Sequence, residues 1–123
     1  FGDVLTKKEI NYLSVRLLRV AAIAAANSAR AKSMYDRPRP YDRNSDIKPC
    51  IDTEGSSSYP SGHTTIARLY GRVLSLRYPS RAEKFMARAD QAALNRVLGG
   101  VHHPSDIEAG KRLGDYLAKK FYH

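Results

Sequence analysis

The sequence predicts an all-α fold, a compact bundle of about four main helices with one long loop over residues 33–60. Three observations carry this. Apolar residues recur at helical spacing in four separate runs. Helix-starting patterns stand ahead of those runs. No stretch alternates apolar and polar residues, and no hairpin signal joins two such stretches. Residues 1–123 read as a single domain, large enough to bury a modest core.

The elements follow in order. Thr6 with Glu9 is a capping-box pattern. Behind it Ile10, Leu13, Leu17, Val20, Ala21 and Ala24 share one face, which predicts a helix from about residue 7 to about 31. Alanines near its end permit close approach of another helix, and Lys32 falls at or just past its last turn. Residues 33–60 hold Pro38, Pro40, Pro49, Gly55 and Pro60 and show neither a strand nor a helical period. Ser56-Ser57-Ser58 is the only low-complexity segment. A loop this long is usually functional or disordered. Its cationic residues, Arg37, Arg39, Arg43 and Lys48, with Lys32 just ahead of them, favour function over a solvated linker. Pro60-Ser61-Gly62-His63 leads into a helix over about 62–77, with Ile66, Leu69, Tyr70, Val73 and Leu74 buried and Pro79 as its stop. Ser80 with Glu83 opens a third helix, turning Phe85, Met86, Ala89 and Ala93 inward and ending at Gly99-Gly100. Pro104 and a Ser105–Glu108 capping box open the fourth, with Ile107, Leu113, Leu117 and Phe121 at helical spacing.

Bulk properties narrow the partners. Lys and Arg total 21 against 12 Asp and Glu, a net charge of +9. Such a chain favours anions: phosphate esters, nucleic acid or an acidic membrane surface. Cys50 is the sole cysteine, which excludes an intrachain disulfide and a cysteine-based zinc site. With no histidine near it in sequence, Cys50 reads as a bystander. No apolar run reaches bilayer-spanning length; the most apolar, Leu17 to Ala26, is broken by Arg19. The chain begins at Phe1, without initiator Met or signal peptide, and is expected to be processed or a fragment. Apolar helix faces on so small a domain suit a homo-oligomer.

The chemistry-bearing residues gather at helix–loop junctions, where rigid elements commonly present binding groups. His102 stands four residues ahead of Asp106 at a helix start. A carboxylate beside an imidazole fixes its tautomer and leaves the other nitrogen to attack or to accept a proton. The plain alternative is a helix start with two loop histidines, His102 and His103. Ser61, Gly62 and His63 open the second helix, where free N–H groups and the positive dipole end suit an anion. Gly62 lets backbone approach a ligand, although Ser-Gly-His is commonly just an N-cap. Lys32, Arg39 and Arg96 can surround the oxygens of a phosphoryl group, with two histidines in line as nucleophile and acid. Taken singly, Lys32 and Arg96 read as solvated surface. A metal site on His63, His102 and Asp106 is disfavoured, because no carboxylate cluster accompanies it and the surrounding charge is positive.

The spacing is specific. Lys32, six residues, then Arg39-Pro40; Pro60-Ser61-Gly62-His63; and Arg96, five residues, His102, three residues, Asp106. Together these resemble the three-part signature of the type 2 phosphatidic acid phosphatase superfamily, which includes the bacterial class A non-specific acid phosphatases and the vanadium haloperoxidases. The resemblance covers residues 32–106 closely and the flanking helices loosely. It implies an acid phosphatase hydrolysing phosphate monoesters through a phosphohistidine. His102 would be the nucleophile, Asp106 its orienting partner and His63 the general acid. Lys32, Arg39, Ser61, Gly62 and Arg96 would form the phosphate cradle. It further implies no metal or other cofactor, with vanadate able to occupy the same cradle, a small phosphate ester as partner rather than a specific nucleic acid, and a periplasmic or secreted location. The family's third block usually opens with Ser; here Asn95 stands there and is expected to tune the phosphate site, since its amide still donates. Soluble members usually carry further helices upstream. Two other readings remain: a vanadate-dependent haloperoxidase on the same fold, and a basic helical module binding nucleic acid.

Overall fold

The computed structural model describes residues 1–53 and 55–122. Its regular elements are all helices, with no strand among the described residues. Its helices are α1 (Lys7–Lys32), α2 (Pro40–Arg43), α3 (Gly62–Arg77), α4 (Ala82–Leu98) and α5 (Pro104–Phe121), with a 3-10 turn at Pro79–Arg81.

α1 begins as its cap residue dictates: Thr6 Oγ1 accepts the Glu9 N–H at 3.1 Å. Leu13, Val20 and Ala24 are its buried stripe. α3 is the central helix and packs against α1, α4 and α5. Leu69 of α3 joins Val20, Ala24, Leu117 and Ala118 in one apolar cluster; Leu74 joins Leu5, Leu13 and Phe85 in a second. Phe1 closes the second cluster with edge contacts to Tyr70 and Phe85. A charged layer runs beside the cores: Arg68 and Arg72 of α3 hold Asp115 of α5, and Arg68 also reaches Asp90 of α4.

α3 and α5 approach closely because two glycines face the gap. A Cβ on Gly110 would stand 2.8 Å from the Ser61 carbonyl and 2.9 Å from Thr64 Cβ. On Gly114 it would stand 2.7 Å from Arg68 Cβ. This draws the N-terminal ends of the two helices together, and the Ser61 N–H donates to the Asp106 carbonyl at 3.1 Å. Gly100, at φ 79°, supplies the left-handed residue between α4 and α5.

Several expectations need correction. The loop over 33–60 contains a short helix, α2, with Pro40 at its first position, where a missing N–H costs nothing. Ser80 does not cap α4. Pro79 instead starts a 3-10 turn, and Arg81 is the residue ahead of the helix. Ser105 does not cap α5 either: His103 is the N-cap, and its N–H donates to the Asp106 carboxylate at 2.8 Å. Phe121, the last residue of α5, is exposed. Serines 56–58 are structural acceptors and donors, as the site geometry makes plain.

Candidate active site

The site forms where the start of α5, the end of α1 and the loop over 33–60 converge. His102 and Asp106 are fully enclosed, at 2% and 0% exposure. His102 Nδ1 lies 3.3 Å from Asp106 Oδ2. Its other nitrogen, Nε2, lies 2.9 Å from Arg39 Nη1. A guanidinium has donors only. Nε2 must therefore present its lone pair, and the ring proton sits on Nδ1, facing the carboxylate.

Arg39, 1% exposed, is locked by the loop: Nε donates to the Ser56 carbonyl, Nη2 to Ser56 Oγ and Nη1 to the Val101 carbonyl, each at 3.0 Å. Lys32 Nζ donates to the Ser57 carbonyl at 2.5 Å. A Cβ on Gly62 would lie 3.8 Å from Lys32 Cε, which places the end of α1 beside the start of α3. Ser61 is the buried N-cap of α3, its Oγ accepting the Thr64 N–H at 3.2 Å.

Asp106 is held by more than His102. Oδ1 accepts from Arg37 Nη1 at 2.8 Å. Oδ2 also accepts from the His103 N–H and from Ser58 Oγ, and His103 Nδ1 lies 3.1 Å from it. Burial alone would raise the Asp106 carboxyl. The bonds from His102, Ser58 and His103 overcome that and hold it far below the usual carboxylate range. For His102 burial is also the largest influence, and it lowers the imidazole. Asp106 opposes this, while the charges of Arg39 and Lys32 push further down, and the net direction is down.

The structure thus brings together Lys32, Arg39, Ser61, Gly62, His102 and Asp106. His63 stands on the first turn of α3, exposed, adjoining Gly62. Arg96 lies half-buried on the last turn of α4, where its carbonyl accepts the Val101 N–H just ahead of His102. Asn95 is exposed, and its Oδ1 accepts from Gln91 Nε2 one turn earlier at 2.8 Å. His103 borders Asp106 with a partly exposed ring. Cys50 is exposed at the loop's contact with Gly99. Sequence reasoning missed Ser56, Ser57 and Ser58 as scaffolding and Gly110 and Gly114 as the cause of close helix approach. The glycine spacing was visible in α5; the serines carried no local signal. Among the described residues, no group of three or more His, Cys, Asp or Glu is placed to hold a metal ion, and no helix is long and apolar enough to cross a membrane.

The PAP2 superfamily profile matches residues 13–123. The chain belongs to the PAP2 superfamily. Among curated relatives, the non-specific acid phosphatase of Salmonella typhi is 35% identical over 107 residues, 80% of this chain and 40% of that protein. The non-specific acid phosphatase of Providencia stuartii is 32% identical over 116 residues, 90% of this chain and 47% of that protein. The chain therefore spans less than half the length of these relatives. The fold is similar to the crystal structure of a transmembrane PAP2 type phosphatidylglycerolphosphate phosphatase from Bacillus subtilis, with a TM-score of 0.64 and 26% identity, covering 89% of this chain and 59% of that one. In this PAP2 chain the three sequence blocks meet at the helix ends described above.

Proposed function

We propose that the chain is an acid phosphatase that hydrolyses phosphate monoesters through a covalent phosphohistidine. One observation carries the reading: an enclosed imidazole with its proton directed at Asp106 and its bare Nε2 directed at a guanidinium. That arrangement suits a nucleophile aimed at an anion. Membership of the PAP2 superfamily and the acid phosphatase relatives support the same chemistry.

In the proposed cycle, Arg39, Lys32, Arg96 and the N-terminus of α3 at Ser61 and Gly62 bind the phosphoryl oxygens. A substrate oxygen takes over the Arg39 donor, which frees the Nε2 lone pair. Nε2 attacks phosphorus, the ester P–O bond breaks, and His63 gives its proton to the leaving oxygen. The Nδ1 proton stays on His102, with Asp106 balancing the positive ring. Water, deprotonated by His63, then attacks the phosphorus, the P–N bond breaks, and phosphate leaves. No step uses a metal. An acidic optimum follows, because His63 must be protonated while His102 must not. The downward shift of His102 supports its staying neutral in acid. Asn95 tunes the site only indirectly, through α4. We further propose a periplasmic or secreted location, on resemblance to the bacterial acid phosphatases.

The test is hydrolysis of a simple aryl phosphate. His102→Ala is expected to abolish turnover, and a chelator is expected to leave the parent rate unchanged. Retained turnover in His102→Ala refutes the reading.

A further inference from the structure

We propose that Arg37 is a positioning residue: it holds the Asp106 carboxylate through Oδ1 so that Oδ2 remains on His102. The inference rests on the active-site reading above and adds to it a residue outside the nucleophile, the acid and the phosphate cradle.

Three contacts place Arg37. Its Nη1 donates both to Ser105 Oγ at 2.6 Å and to Asp106 Oδ1 at 2.8 Å. Its guanidinium lies 4.5 Å from the centre of the Tyr59 ring, a cation–π contact. Its backbone is clamped on both sides, the N–H donating to Ser57 Oγ at 3.2 Å and the carbonyl accepting the Ser58 N–H at 2.9 Å. Arg37 thus bridges all three sequence blocks. It lies two residues before Arg39, stacks on the residue preceding Pro60, and bonds to α5 at Ser105 and Asp106.

The geometry separates its role from that of the other cations. Arg39 and Lys32 act on the imidazole directly, and Arg39 meets the nitrogen that would attack. Arg37 meets the far oxygen of the orienting carboxylate. Asp106 has no exposure, whereas the Arg37 side chain keeps 32%, so the charge rests at the rim and its bond reaches inward. A carboxylate fixed at one oxygen cannot swing away from Nδ1 when the ring becomes positive. The planar guanidinium also matches the Tyr59 face, which an ammonium does so less well.

The groups facing the pair are the Arg37 charge with the hydrogen-bonding Ser58 and His103 around Asp106, and the Arg39 and Lys32 charges around His102. Removing Arg37 leaves the Asp106 charge less compensated. The positive imidazole is then favoured, so His102 titrates at higher pH. The group that must be neutral to attack becomes protonated sooner on acidification.

The experiment compares parent, Arg37→Gln, Arg37→Lys and His102→Ala protein. An aryl phosphate reports kcat, KM and the acid limb of kcat/KM, and nitrogen-15 NMR reports the His102 titration in the free protein. Arg37→Gln is expected to lower kcat about tenfold or more, hold KM within about threefold, and raise both the acid limb and the His102 titration. Arg37→Lys is expected to fall between Arg37→Gln and the parent, and it decides the matter if Arg37→Gln fails to fold. The inference is overturned if the variants raise KM alone, or if kcat falls equally at every pH with His102 titrating as in the parent. Full activity in His102→Ala would instead defeat the active-site reading. The NMR titration still judges Arg37, because it needs no turnover.

Discussion

Arg39 Nη1 stands 2.9 Å from His102 Nε2, and of these two atoms only Nε2 can accept. That contact fixes the tautomer of the buried histidine from the side opposite Asp106. It also explains why an enclosed imidazole beside a carboxylate is shifted down rather than up: burial acts first, and the Arg39 and Lys32 charges add to it against Asp106.

Arg39→Lys tests this contact. A lysine keeps the charge but loses the fork that binds the Val101 carbonyl, Ser56 and His102 together. The expected result is a loss of about a hundredfold in kcat/KM, with weaker vanadate binding, read by steady-state kinetics and inhibition. Parent-like values would show that Arg39 is only a surface-like charge in function.

Acid is expected to cost stability. His102 is shifted down in the folded protein, so its contribution is complete above its unfolded value of about 6.5 and is lost as pH falls below that. Asp106 is also shifted down, so its contribution is present above about 3.9 and is lost on further acidification. The His102 effect lowers Tm as pH drops from 7 to about 4, and the Asp106 effect lowers it further below about 4, as thermal melts would record. Asp106→Asn should reduce stability by about 2–3 kcal/mol at pH 7 and flatten the lower part of that curve. A Tm that rises on acidification counts against these assignments.

The two glycines of α5 separate packing from chemistry. Gly110→Ala pushes on the Ser61 carbonyl and Gly114→Ala on Arg68 Cβ, one turn farther from the site. Each should destabilise by about 1–3 kcal/mol, partly offset by alanine's better helix propensity. Gly110→Ala should also lower kcat, because Ser61 must shift, whereas Gly114→Ala should keep it. Denaturant melts and kinetics on both variants check the pattern; equal kcat losses would contradict it.

Much of this was legible in the chain, for identifiable reasons. The helices announce themselves through local period and caps: Thr6 caps α1 in three dimensions as its spacing to Glu9 implies. The three blocks were legible through their combined spacing, which resembles the superfamily signature, although Lys32 and Arg96 taken singly read as surface charge. Ser58 was not, since its partner Asp106 lies 48 residues away and serine is ordinary in a loop. Ser56 and Ser57 likewise look like low-complexity filler until Arg39 and Lys32 bond to them. Ser105 misled because its spacing to Glu108 mimics a cap, while Asp106 takes the exposed N–H of His103 from inside the first turn. The side-chain partner of Asn95, Gln91 one turn earlier on α4, was not legible from its place in the motif.

The most direct measurement traps the intermediate. The protein is mixed with a phosphate ester labelled at phosphorus, quenched in alkali within a turnover, digested and analysed by mass spectrometry. The account predicts phosphate on His102 alone, stable to base, labile to acid, and missing from His102→Ala. An active parent enzyme that never carries phosphate on His102, or carries it on another residue, would contradict it.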